Sequence, residues 1–111
     1  MDGPGVFKAT ARRFPAFMGR LLESGGLSPE DIDLVVPHQA SAAALAHLRR
    51  VFPTDNDKIV DIFADHGNQI AASMPSALHE AISSGRLKRG DRALLVGTSA
   101  GISLGGAVIR Y

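Results

Sequence analysis

Two short stretches carry side chains whose types and spacing could do chemistry. They are Val36-Pro37-His38-Gln39-Ala40 and Asp65-His66-Gly67-Asn68. In each, an apolar, strand-like run stops, a hydrogen-bonding side chain stands at its end, and small residues suited to a helix begin. In α/β folds that edge of a sheet is where ligands are handled. A neutral imidazole and a carboxamide can both donate to one carbonyl oxygen while negative charge develops on it. Neither repels an enolate, as a carboxylate would. His38 and Asn68 therefore suit carbanion chemistry at a thioester. A third stretch, Gly97-Thr98-Ser99-Ala100-Gly101, is made of small residues whose backbone N–H groups can come close to a second oxyanion.

Each feature also has a plainer reading. A histidine at a strand end is more often structural, and asparagine after glycine is an ordinary turn residue. The four histidines lack metal-ligand spacing and no carboxylates cluster with them, so no metal site is expected. The glycine-rich stretch fits G-x-S-x-G, the nucleophile elbow of hydrolases, and follows an apolar strand as that motif requires. Its continuation does not fit, because a helix, an acid and a histidine should follow, yet no histidine lies beyond His79.

Composition narrows the classes further. The chain has 111 residues, 45% of them apolar, enough for the core of one domain. Twelve basic against eleven acidic residues leave a net charge of +1. That balance gives no reason to expect nucleic acid or an anionic membrane as partner. Cysteine is absent, which removes disulfides, thiolate metal sites and the best side-chain nucleophile. No apolar run approaches the roughly 20 residues of a membrane span, and the start lacks a signal-peptide pattern. A cytoplasmic location is expected.

The elements that must position these residues can be read from periodicity. After a turn-like opening, Phe7, Ala11, Phe14, Met18, Leu21 and Leu22 make one apolar helical face. Pro15 should kink or split that helix near Phe14, and Gly25-Gly26 ends it. Ser28 and Pro29 start a helical turn. A short buried strand is expected over 32–36. A helix over 41–51 should place its alanines against the sheet. A polar loop over 53–57 should lead to an alternating, strand-like segment over 58–63. A helix over 71–84, with Pro75 in its first turns, closes at Gly85. The most apolar strand is 93–96, and a last strand runs over 103–111. Alternating helix and strand with a hairpin-like finish predicts a layered α/β architecture with a mixed sheet.

The same residues resemble a known family. Val36-Pro37-His38-Gln39-Ala40, Asp65-His66-Gly67-Asn68 with Ala71-Ala72-Ser73, and the terminal Leu104-Gly105-Gly106-Ala107-Val108-Ile109-Arg110-Tyr111 are similar to the C-terminal part of β-ketoacyl-acyl-carrier-protein synthase III. The opening Met1-Asp2-Gly3 and Val6-Phe7-Lys8 extend the similarity over the whole chain. That family belongs to the thiolase-like condensing enzymes, so the resemblance implies a thiolase-like half-fold, incomplete over residues 1–111, with two early strands of that half lying before Met1. An incomplete sheet should expose an apolar surface.

The resemblance also implies an acyltransferase with a Cys-His-Asn triad. Cysteine takes an acyl group from coenzyme A. His and Asn then assist decarboxylation of a malonyl thioester on acyl carrier protein, and its carbanion attacks the acyl-cysteine. The family's His falls on His38 and its Asn on Asn68, and an oxyanion-hole amide falls at or beside Ala100, with Gly101 next to it. No bound cofactor is implied; the coenzyme A thioester is substrate. Acyl carrier protein, acyl-CoA, a second copy of the full enzyme and an N-terminal half bearing the cysteine are the implied partners, in fatty-acid or polyketide-type biosynthesis. Alone, this chain should form no acyl-enzyme. It departs from the family's pattern at Ser41, commonly Asn, and at Gln69-Ile70, commonly Thr-Ser. Ala42-Ala43-Ala44 stand where a basic residue often meets acidic carrier protein, with Arg49 and Arg50 about two turns later. Two other readings are acyl transfer to a small acceptor without decarboxylation and a noncatalytic remnant or interaction module.

Overall fold

The structure, a computed structural model, describes residues 3–51, 56–99 and 103–111. Four helices, α1 (Gly3–Ser24), α2 (Ala42–Val51), α3 (Phe63–His66) and α4 (Ser73–Ser83), surround three strands, β1 (Leu34–Pro37), β2 (Arg92–Ser99) and β3 (Ser103–Arg110). The sheet order is β1-β2-β3. β1 runs parallel to β2, with Leu34 opposite Ala93 and Pro37 opposite Val96. β3 returns antiparallel, with Arg92 opposite Arg110 and Ser99 opposite Ser103. The expected mixed sheet with packed helices is the observed one.

Side-chain alternation along the strands divides the core into two layers. On one face Val35, Leu94 and Val96 meet Phe14, Met18 and Leu22 of α1 and Leu48 of α2. On the other, Leu34, Val36 and Ala93 meet Ala77 and Ala81 of α4 together with Leu87. Leu94 is fully buried, and its truncation to alanine would cost about 2–5 kcal/mol. The alanines that let a helix approach the sheet are those of α4. Over residues 42–50 of α2 the buried ones are Leu45 and Leu48, while Ala42 and Ala43 are exposed.

Two expectations need correction. α1 runs through Pro15 as one helix from Gly3 to Ser24. Pro15 is exposed while its neighbours Phe14, Met18 and Leu22 are buried in the core, and that packing holds the helix together through the proline. Residues 58–63 do not make a strand: Ile59 forms a single parallel bridge to Val35, followed by the one-turn α3. The ladder stops there because the side chain of Gln39 takes over its hydrogen bonds, as described below. Ile70 is the one large hydrophobic residue standing exposed among those whose side chains are described. The expected polar loop over 53–57 falls mostly outside the described residues.

The remaining punctuation matches its sequence cues. Ser28 donates its backbone N–H to Asp31 Oδ2 at 2.8 Å and its hydroxyl to the same oxygen at 3.2 Å, closing the turn that leads into β1. Ser41 Oγ accepts from the N–H of Ala44 at 3.0 Å, an N-cap for α2. Gly85 takes φ +81° after α4, a left-handed conformation that glycine adopts at no steric cost.

Candidate active site

Because β1 and β2 are parallel and Ile59 extends the sheet beside Val35 in the same sense, the segments leaving all three reach one edge of the sheet. His38 follows β1 directly. Its backbone N–H donates to Val96 O at 2.9 Å, so the parallel register holds the histidine one residue beyond the strand. The ring is half-buried and accepts or donates no hydrogen bond among the described residues. Opposite it, a Cβ on Gly97 would stand 3.3 Å from His38 Cβ and 3.3 Å from Met74 Cε. Gly97 is the clearance that lets β2 pass beside His38.

Asn68 reaches the same place from the other loop. α3 ends at Gly67, whose φ of 63° and ψ of −164° turn the chain sharply, and Asn68 follows. Its Nδ2 donates to Ala40 O at 3.3 Å, two residues past His38. Its Oδ1 accepts from the backbone N–H of Ile70 at 2.8 Å and from Ser73 Oγ at 3.3 Å. These partners fix which way the carboxamide faces. The oxygen is occupied by two donors and one amide proton by Ala40, which leaves the second amide proton for a ligand. Ile70, the residue that clamps Asn68 Oδ1, sits at φ 57°, a left-handed conformation that is strained for a β-branched side chain.

Two site residues stand inside the motifs quoted from the sequence but had no role assigned there. Gln39 and Ser73 are the buried polar side chains among the described residues, each with 0% exposure. Gln39 Nε2 donates to Pro37 O at 3.0 Å and Val60 O at 3.2 Å, and its Oε1 accepts from Ile62 N–H at 2.9 Å. Ser73 Oγ accepts from Gln69 N–H at 2.8 Å and donates to Asn68 Oδ1. Neither type is marked by periodicity. The one available cue was proximity to His38 and Asn68.

Ala100 and Gly101, the expected oxyanion-hole amides, lie outside the described residues. The strands on either side nevertheless remove the nucleophile-elbow reading: β2 includes Ser99, and the chain returns as antiparallel β3 instead of entering a helix. Arg49 forms an ion pair with Asp61, so its charge is already partnered at the surface. Among the described residues no three His, Asp or Glu side chains stand together as metal ligands would. Nor is any helix long and apolar enough there to cross a membrane.

Comparison with known proteins meets this geometry from outside. Residues 22–111 match the family model described as 3-oxoacyl-[acyl-carrier-protein (ACP)] synthase III C terminal. The whole chain aligns with β-ketoacyl-[acyl-carrier-protein] synthase III of Neisseria gonorrhoeae at 39% identity and with that of Aquifex aeolicus at 36%. It spans 35% and 36% of those two proteins. The crystal structure of the Aquifex aeolicus synthase superimposes with a TM-score of 0.92 over 100% of this chain and 36% of that one, at 36% identity. OleA of Xanthomonas campestris with cerulenin bound gives a TM-score of 0.91 at 28% identity, over 98% of this chain and 33% of that one. The sheet, the helix layers and residues 22–111 thus agree on one assignment: the chain has a thiolase-like fold and belongs to the family of 3-oxoacyl-[acyl-carrier-protein] synthase III C-terminal domains.

Proposed function

We propose that residues 1–111 are the C-terminal part of a condensing acyltransferase in which His38 and Asn68 hold the carbonyl oxygen of a malonyl thioester. The observation that carries this reading is the Asn68 carboxamide: its oxygen is occupied by Ile70 N–H and Ser73 Oγ, and it is tied to Ala40 beside His38. An amide oriented in this way has a donor to offer, and a neutral imidazole supplies the second. As the bond between the malonyl methylene and its carboxylate breaks, CO₂ leaves and negative charge moves to the thioester oxygen. Two preorganised donors stabilise that charge more than they stabilise the ground state. The carbanion then attacks an acyl-cysteine, a C–C bond forms, and the cysteine leaves as thiolate.

This chain has no cysteine, so the acyl-enzyme forms on a portion outside these residues. The relatives, named β-ketoacyl-[acyl-carrier-protein] synthase III and with this chain spanning 35% of their length, support that arrangement. We assign acyl-CoA as acyl donor and acyl carrier protein as the carrier of the malonyl group, with no bound cofactor. The backbone N–H groups of Ala100 and Gly101 serve the second oxyanion. The working enzyme is a cytoplasmic homodimer in fatty-acid or polyketide-type synthesis.

The test is to isolate the native protein gently, together with any cysteine-bearing portion, and to measure CO₂ released from malonyl-acyl-carrier-protein in the presence of acyl-CoA. His38→Ala and Asn68→Ala should each lower the rate by about 10²–10³. Acyl transfer to a small acceptor without CO₂, or a lone 11.7 kDa species with neither activity, would overturn the reading.

A further inference from the structure

We infer that Gln39 is a positioning residue that holds the loop carrying Asn68 at a set place against the strand end carrying His38. The inference rests on the function proposed above, and it starts from the hydrogen-bond inventory of one side chain. A glutamine carboxamide offers two N–H donors and an acceptor oxygen. Gln39 spends both donors, on Pro37 O and Val60 O, and its oxygen accepts from Ile62 N–H. Only one orientation of the amide satisfies all three partners, since two are carbonyls and one is an N–H. The side chain is wholly buried, where a polar group left unpaired is costly and a fully paired one specifies a unique arrangement.

The positions of those partners give the bonds their meaning. Pro37 is the last residue of β1 and the neighbour of His38. Val60 already donates its N–H to Val35 O at 2.9 Å, the last backbone bond tying this segment to β1. Beyond it the two chains diverge, and Gln39 spans the gap with bonds to both sides of Asp61. Ile62 then leads straight into α3, Gly67 and Asn68. One amide therefore replaces the ladder that a strand over 58–63 would have made, and in doing so sets the point from which the Asn68 loop departs. Gln39 itself, pointing into the core, touches no part of a substrate held between His38 and Asn68; it acts through them.

The test is a double-mutant cycle in the native assembly, with CO₂ release from malonyl-acyl-carrier-protein as readout. Gln39→Met keeps the length and burial of the side chain and deletes all three bonds. If Gln39 serves the relation between His38 and Asn68, Gln39→Met should lower the rate about 30- to 100-fold alone, as small misplacements do. In an Asn68→Ala background it should lower the rate less than about threefold, because the partner to be positioned is gone. Equal losses in both backgrounds would mean a merely structural role and would overturn the inference, as would no loss in either. Hydrogen exchange on the same assembly supplies a readout free of catalysis. Gln39→Met should speed exchange over residues 60–73 and leave residues 92–99 unchanged; a uniform increase, or none, counts against the inference. A normal rate in Asn68→Ala alone would sink the proposed function, while the exchange result would still decide whether Gln39 holds the loop.

Discussion

Ser73 Oγ stands 3.3 Å from Asn68 Oδ1 while accepting the N–H of Gln69 at 2.8 Å, so one buried hydroxyl organises both the loop backbone and the side chain at its tip. Ser73→Ala deprives Gln69 N–H of its partner and Asn68 Oδ1 of one of two donors. We expect a stability loss of about 1–2 kcal/mol. Ile70 N–H still holds the carboxamide, so CO₂ release should fall only about 3- to 10-fold, well short of the loss for Asn68→Ala. Denaturant unfolding and the decarboxylation assay, run on one preparation, check both numbers.

Gly97→Ala tests the clearance beside His38. The new methyl group would stand 3.3 Å from His38 Cβ and from Met74 Cε. The methionine terminus can yield, but the histidine backbone is tied to Val96 O. The expected outcome is a small stability change and a drop in decarboxylation rate of about tenfold, from displacement of the imidazole. Steady-state kinetics set beside a denaturant midpoint separates the two effects.

Gly106→Ala should do the opposite. A Cβ there meets Leu21 Cδ2 at 2.9 Å and Leu95 O, a backbone atom, at 3.0 Å. Leu21 can rotate; the Leu95 carbonyl belongs to the sheet and cannot yield without cost. Overpacking of this kind costs about 1–3 kcal/mol, and the rate per folded molecule should stay unchanged. An unaltered denaturant midpoint would show that the strand carrying Leu95 yields to the new methyl group at no cost.

Acid stability should carry a signature of the turn before β1. The carboxyl of Asp31 is held below the usual carboxylate range, first by the Ser28 N–H and then by the Ser28 hydroxyl. A depressed folded-state pKa contributes stability above the unfolded value and loses it as pH falls through the folded one. Asp31→Asn should therefore differ from the parent at neutral pH and converge with it as the pH falls below about 4, through the lowered folded-state value. Denaturant melts across that range give the curve. The carboxylate is fully exposed, so raising the salt concentration should shrink the difference.

Sequence reading located His38 and Asn68 because a polar residue that ends an apolar run is a local signal. It also found β1, β2, β3 and both longer C-terminal helices, whose periodicity is local too. It failed where a distant side chain decides the backbone. Residues 58–63 alternate like a strand, yet their hydrogen bonds go to Gln39, more than twenty residues earlier. Pro15 reads as a break until packing on both sides of it is known, and the alanines of α2 read as buried until those of α4 are seen in the core. Gln39 and Ser73 escaped because burial of a polar side chain depends on partners that only the fold brings together.

The contact between α1 and β3 also has a consequence for the order of events during synthesis. Within these residues α1 rests on β3, across Gly106 and Leu21. While the polypeptide is still being made, Phe14, Met18 and Leu22 have no completed sheet to cover, because Leu94 and Val96 follow some seventy residues later. At the usual pace of roughly 5–20 residues per second, that apolar face waits several seconds for its partner. Whatever shields α1 in that interval, a chaperone or a neighbouring part of the nascent chain, must release it once β3 emerges.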